Sequence, residues 1–148
     1  MGTFQSFEEI EAWQESRKLT QAVRKICKKE KVKKDYSFVD QITRATRSIG
    51  LNIAEGNDSL AVREFIQSLG IAKRSAAEVR ACLYDAVDEG YITQEEFSFL
   101  AQQTKKISAM LAGLIRYLQT LDHDRKRIIP HAIKLVSKNQ QTSKPENL

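Results

Sequence analysis

The chain has 148 residues, 41% of them hydrophobic and 29% charged, and a formal net charge of +5. That length suits one domain, which at this size buries roughly 70% of the surface its unfolded chain exposes, and the composition is that of a folded and not a disordered chain, at least up to the tail. No apolar run approaches the roughly 20 residues that cross a bilayer, and the opening MGTFQSFEEI lacks the regions of a secretion signal, so a cytoplasmic protein without a membrane partner is expected.

Start and stop signals predict four helices. SFEE, from Ser6 to Glu9, reads as a capping box that opens the first. Phe7, Ile10, Trp13, Leu19, Val23 and Ile26 form its apolar face, and it is expected to fray in KKEKVKKD near Asp35. Asp35 then caps a second helix carried by Val39, Ile42, Ala45, Ile49 and Ile53, with Gly56 as its stop and Asp58 or Ser59 as the next cap. The third helix has a heptad seam of Val62, Phe65, Leu69, Ala72, Ala76, Val79, Leu83 and Ala86, ended by Gly90. TQEE, from Thr93 to Glu96, is a second capping box, and the fourth helix follows on Phe97, Leu100, Thr104, Ile107, Leu111, Leu114, Leu118 and Leu121. Strand signals and internal repeats are absent. Short connections between long helices predict an all-α, antiparallel, up-down four-helix bundle.

The bundle is expected over residues 1–123. Residues 124–148 change in character: three consecutive bases (Arg125, Lys126, Arg127), a helix-breaking Pro130 and a polar ending predict a basic, partly flexible tail. Ile129, Ile133 and Val136 allow a short amphipathic turn within it. The middle of the chain is slightly acidic, and the positive charge lies at the two ends. RKLTQAVRKICKKEKVKK, from Arg17 to Lys34, holds nine bases and one acid. Two readings of this stripe stand open: a surface for polyanions, whose neutralised phosphates release counterions, or a solvated helix face that complements its own dipole.

Motifs for catalysis are missing. A di-iron bundle needs Glu-x-x-His pairs, but Thr120 and Ile128 stand three residues before His123 and His131. There is no phosphate loop, GxGxxG, HExxH or GxSxG, and Cys27 and Cys82 form no CxxC and read as small buried or half-buried apolar residues. No catalytic residue, metal or cofactor is expected, and the protein reads as a non-enzyme.

Gln41, Arg44, Ser48, Asn52 and Glu55 form a polar line at helical spacing, with a counterpart in Glu64, Ser75 and Glu78 on the third helix. The expectation is that these faces meet, with amides, hydroxyls and an Arg–carboxylate pair fixing the register of two helices close to a subunit interface. The rival reading turns the line outward, toward water or a partner.

QITRATRSIGLNIAEG, then REFIQSLGIAKRSAAEVRACLYDAVDEGYI, with Trp13 in the first helix, resembles the four-helix bundle family encoded in intervening sequences of bacterial 23S ribosomal RNA genes. The likeness covers Phe7 to Leu121. Its most specific part is Ser48-Ile49-x-x-Asn52-Ile53-Ala54-Glu55-Gly56, at fixed distance from Glu64-Phe65, Ile71-Ala72, Ser75 and Glu78. The resemblance implies a ring-like homopentamer without catalytic activity. It is also similar in fold to the accessory variability protein of diversity-generating retroelements, a basic pentameric barrel that binds its reverse transcriptase and nucleic acid. Three positions depart from the family pattern: Gly50 where Pro is usual, Ser59 where Arg is common, and Arg74 where Gly is.

Function then divides into two expectations. In one, an oligomer binds nucleic acid, RNA or an RNA–DNA hybrid in preference to DNA, through Arg17, Lys18, Arg24, Lys25, Lys28 and Lys29 with Arg125, Lys126 and Arg127. Trp13 and Phe7 are expected to pack and not to stack on nucleotides, so no base-specific reading is expected. In the other, the bundle is an adaptor for a protein such as a reverse transcriptase.

Overall fold

The computed structural model describes residues 4–127, and every regular element among them is helical. A 3-10 turn at Phe7–Glu9 leads into α1 (Glu11–Cys27), the single turn α2 (Glu30–Lys33), α3 (Tyr36–Asn57), α4 (Val62–Asp88) and α5 (Gln94–Arg127). The expected capping box at Ser6 does not form. The Ser6 hydroxyl makes no capping bond, the Glu9 carboxylate accepts the Gln5 N–H at 3.3 Å, and Ile10 is extended, with ψ 119°. This turn buries Ile10 to 2% exposure and sets Phe7 edge-on to Trp13, ring centres 4.9 Å apart.

The first predicted helix is also interrupted earlier than expected. Lys29 swings to ψ 142° and separates α1 from α2. Two contacts account for the break: Val32 becomes fully buried, and the Lys29 ammonium donates to the Tyr91 carbonyl at 2.9 Å. Asp35 caps α3 as expected, its Oδ1 accepting the Phe38 N–H at 3.1 Å. Its Oδ2 accepts the Tyr91 hydroxyl at 2.6 Å, which ties the start of α3 to the α4–α5 turn.

At the α3–α4 turn, Gly56 serves close approach. A Cβ there would lie 2.8 Å from both Phe65 Cδ1 and Ser68 Cβ, inside normal carbon contact. The expected cap on α4 is a correction: Ala61 holds that position without a side-chain bond, and the Ser59 hydroxyl donates backward to the Gly56 carbonyl at 2.6 Å. Gly90 does need its freedom, with φ 75°. Its N–H meets the Val87 carbonyl and that of Tyr91 the Ala86 carbonyl, the two bonds of a Schellman ending. The Thr93–Glu96 box then closes with both reciprocal bonds, at 2.8 and 3.0 Å.

In the packed structure α3 lies against α1 and α4, α4 against α3 and α5, and α1 also touches α5. The eight seam residues of α4 are all buried, and opposite them Ile42, Ile49, Ile53, Ile107, Leu111 and Leu118 have no exposed surface. Each such aliphatic side chain stabilises the fold by roughly 1.5–3 kcal/mol relative to exposure. α5 continues to Arg127, so the first bases after residue 123 stand on helical backbone. The amphipathic turn suggested by Ile129, Ile133 and Val136, and Pro130 itself, lie outside the described residues.

Candidate functional site

The packing of α1 between α3 and α5 divides its bases into two stripes. Arg17, Arg24 and Lys28 follow one another by seven and four residues and so share a face, while Lys18, Lys25 and Lys29 follow the same spacing one residue later, about 100° around the helix. Lys18 pairs with Glu15 at 3.2 Å, and half-buried Lys29 is engaged by the Tyr91 carbonyl and by Glu96 at 3.7 Å. Lys29 therefore acts as a tie between two turns, a role its place in a basic run does not suggest. Arg17, Arg24, Lys25 and Lys28 are exposed, with no carboxylate partner among the described residues. Arg125, Lys126 and Arg127 belong to the last turn of α5.

Arg17 and Arg24 line a groove of about 490 Å³ between α1 and α3, and α3 adds a third guanidinium, Arg47. Trp13, Gly50, Leu51 and Ala54 supply a largely apolar floor, and among the described residues no Asp or Glu lines the groove. Arg47 escaped the sequence reading because it stands outside any basic run. Its position relative to Gly50, which faces Ser16 and Trp13 across the interface, places it opposite the α1 arginines once the two helices are known to pack. The indole Nε1–H of Trp13 has no acceptor among the described residues, although the ring is half-buried and packs against Phe7.

The polar line is only partly what its spacing predicts. Ser75, buried on α4, donates to the Ser48 hydroxyl at 2.8 Å, and the Asn52 amide donates to the Ser48 hydroxyl at 3.1 Å and its carbonyl at 2.8 Å. This three-residue cluster joins α3 to α4. The expected inter-helical Arg–carboxylate pair is not made among the described residues: Arg44, 65% exposed, meets Asp40 of its own helix at 3.7 Å. Gln41, Glu55, Glu64 and Glu78 are exposed. Gln41, Arg44, Ser48, Ser75 and Glu78 share a shallow depression of about 320 Å³, and Arg44, Arg47, Ser48, Leu51, Asn52 and Glu55 a second of about 260 Å³. Arg47 and Leu51 belong to both the second depression and the α1–α3 groove, so the polar line runs into the arginine groove.

The thiols are set against nucleophilic chemistry. Burial, with Glu78 and Asp85 nearby, pushes Cys82 up to about 11, and burial also raises Cys27 despite its contact with the Thr43 hydroxyl. Among the described residues no three His, Cys, Asp or Glu side chains are grouped to hold a metal ion, and no helix is long and apolar enough to cross a membrane.

A family model described as 23S rRNA-intervening sequence protein matches residues 8–113. The chain belongs to that family. The serine–asparagine cluster and Gly56 of this 23S rRNA-intervening sequence protein thus fall in the segment whose motif carries the resemblance, and both act at the α3–α4 contact. A solved structure of similar fold is the crystal structure of a protein with unknown function from the S23 ribosomal protein family of Bacteroides thetaiotaomicron. It is 26% identical, covers 70% of this chain and 97% of its own, and superimposes with a TM-score of 0.65. No curated protein matches the chain.

Proposed function

We propose that this 23S rRNA-intervening sequence protein is a non-enzymatic, up-down four-helix bundle that assembles as a ring, a homopentamer, and binds RNA by its phosphate backbone. The observation that carries the reading is the α1–α3 groove, where Arg17, Arg24 and Arg47 meet without an acid in the lining. Guanidiniums left without carboxylates are balanced by mobile counterions, and phosphates that replace those ions release them to solution. Bases at the end of α5 add to the field, and repetition around a ring makes a weak patch multivalent. RNA is preferred to DNA on the strength of the family's link to a ribosomal RNA gene.

A second surface favours an adaptor role. Ala22, Ile26, Phe99 and Leu100 form a mainly apolar depression of about 240 Å³ between α1 and α5, where Phe99 is 68% exposed. A protein partner such as a reverse transcriptase would cover it. RNA binding across a salt series separates the two readings, with subunit number read by light scattering on the same sample. If three guanidiniums each neutralise one phosphate, changing Arg17, Arg24 and Arg47 together to Gln lowers the slope of log K against log salt by about 2 for a single strand. An intact oligomer that binds no RNA at low salt would refute the RNA reading in favour of the adaptor.

A further inference from the structure

Backbone attraction alone does not account for what lies between the arginines. We infer that the α1–α3 groove takes up an unstacked base of single-stranded RNA, with the flanking phosphates held by Arg17, Arg24 and Arg47; this rests on the RNA-binding reading. The volume of about 490 Å³ lies within the range of small-ligand pockets, roughly 300–1,000 Å³, room enough for a base and its sugar. Arg17 and Arg24, seven residues apart, stand about 10 Å apart along α1, with Arg47 across the groove, so anions are met on either side of the floor.

The floor itself is suited to a planar heteroaromatic ring. Leu51 is 56% exposed at its edge, and Gly50 adds no side chain. The Trp13 Nε1–H, lacking an acceptor among the described residues, lies 3.5 Å from where a Gly50 Cβ would stand and is the donor that a base carbonyl or ring nitrogen would satisfy. Trp13 thus packs on Phe7 with one part of its ring and offers another to the groove. A duplex keeps its bases stacked and could engage only the rim. An acidic peptide would satisfy the arginines and leave the apolar floor without a flat partner.

Trp13 is the only tryptophan in the chain, so its fluorescence reports on the groove directly. The test titrates the full-length protein at one fixed salt concentration with four probes: a mixed-sequence single-stranded RNA, the same strand with abasic sites, the corresponding duplex, and an oligoglutamate peptide of equal charge. The expected result is that the intact single strand quenches Trp13 and binds about tenfold more tightly than the abasic strand or the duplex, the size of effect that one hydrogen bond and partial apolar burial of the base supply. Leu51→Ser should abolish that tenfold preference while leaving the melting temperature unchanged. If abasic strand and duplex bind as tightly as the intact strand and the fluorescence stays constant, base entry is wrong and backbone binding stands. Oligoglutamate matching the RNA in affinity and quenching would overturn the inference in favour of a protein ligand, and failure of all four probes would remove the RNA reading itself.

Discussion

Gly56→Ala tests the α3–α4 contact with the smallest possible perturbation. One methyl group is added, at a point 2.8 Å from Phe65 Cδ1 and from Ser68 Cβ, where unstrained carbons prefer about 3.5–4.0 Å. Phe65 is buried on the α4 seam and cannot swing away, so the helices must part. Overpacking of this kind costs about 1–3 kcal/mol. Against it stands the helical preference of Ala over Gly, at most about 1 kcal/mol and less here because Gly56 lies in the last turn of α3. The net expectation is a loss of about 1–2 kcal/mol, or roughly 3–8 °C in Tm for a chain of this size. Gly70→Ala is the matched control in the middle of α4, where the nearest atom to a new Cβ is the end of the Arg74 side chain at 3.9 Å. It should raise Tm by about 2–4 °C through propensity alone. Thermal melts followed by circular dichroism, at one protein concentration since any association would shift apparent stability, measure both. If Gly56→Ala gains as much as Gly70→Ala, the close approach of α3 and α4 at this turn is refuted.

Removing the hydroxyl bridge by Ser48→Ala and Ser75→Ala should show a coupling of about 0.5–1.5 kcal/mol in a double-mutant cycle by urea denaturation, whereas Glu55→Gln, at an exposed position, should change stability by less than about 0.5 kcal/mol. Lys29→Met should lower stability by about 1 kcal/mol and leave RNA affinity intact, and Lys28→Met should do the reverse; filter binding and melts on the two variants check the division of the basic run. Tyr91→Phe addresses the link to Asp35. Its hydroxyl bond and the Phe38 N–H hold the Asp35 carboxyl below its ordinary 3.8, so this contribution is present above that value and is lost as the pH falls through and below it. The Tyr91 hydroxyl is pushed up to about 12 by the same bond, so its protonated form is stabilised below pH 10 and that contribution fades as the pH rises toward 12. Tyr91→Phe should therefore flatten both limbs of the stability–pH profile, and unchanged limbs would refute the link. Cys82, with its thiol raised to about 11, should react with a thiol-directed disulfide reagent near neutral pH only after unfolding.

The arginine groove explains why the basic run cannot be taken as one surface. Bases adjacent in sequence point about 100° apart on a helix, so neighbours such as Arg17 and Lys18, or Lys28 and Lys29, serve different faces. Which face is free depends on what packs beside it. Among the described residues no carboxylate lines the groove that Arg17, Arg24 and Arg47 share on the α3 side, while the other side supplies Glu15 and Glu96 to the lysines. Charge density along the chain therefore overstates the number of bases available to a polyanion.

Local chemistry was enough to read the helical class, the burial of the α4 seam, the Asp35 cap, the Gly90 ending and the Thr93–Glu96 box from sequence, since each depends on residues within about one turn of one another. The same locality misled where a distant contact intervened. Burial of Ile10 and Val32 and the bond from Lys29 to Tyr91 outweighed the helical pattern near Ser6 and Lys29. Spacing also placed Ser48 and Asn52 on one face and Ser75 on the face that meets them, but it did not show that Arg44, Glu55 and Glu78 would stay outside. Arg47 joined Arg17 and Arg24 only through the packing of α3 on α1, 30 residues away from the first of them in the chain. Periodicity fixes the angle of a side chain about its own helix axis, and the neighbour that it faces is decided only when the helices pack.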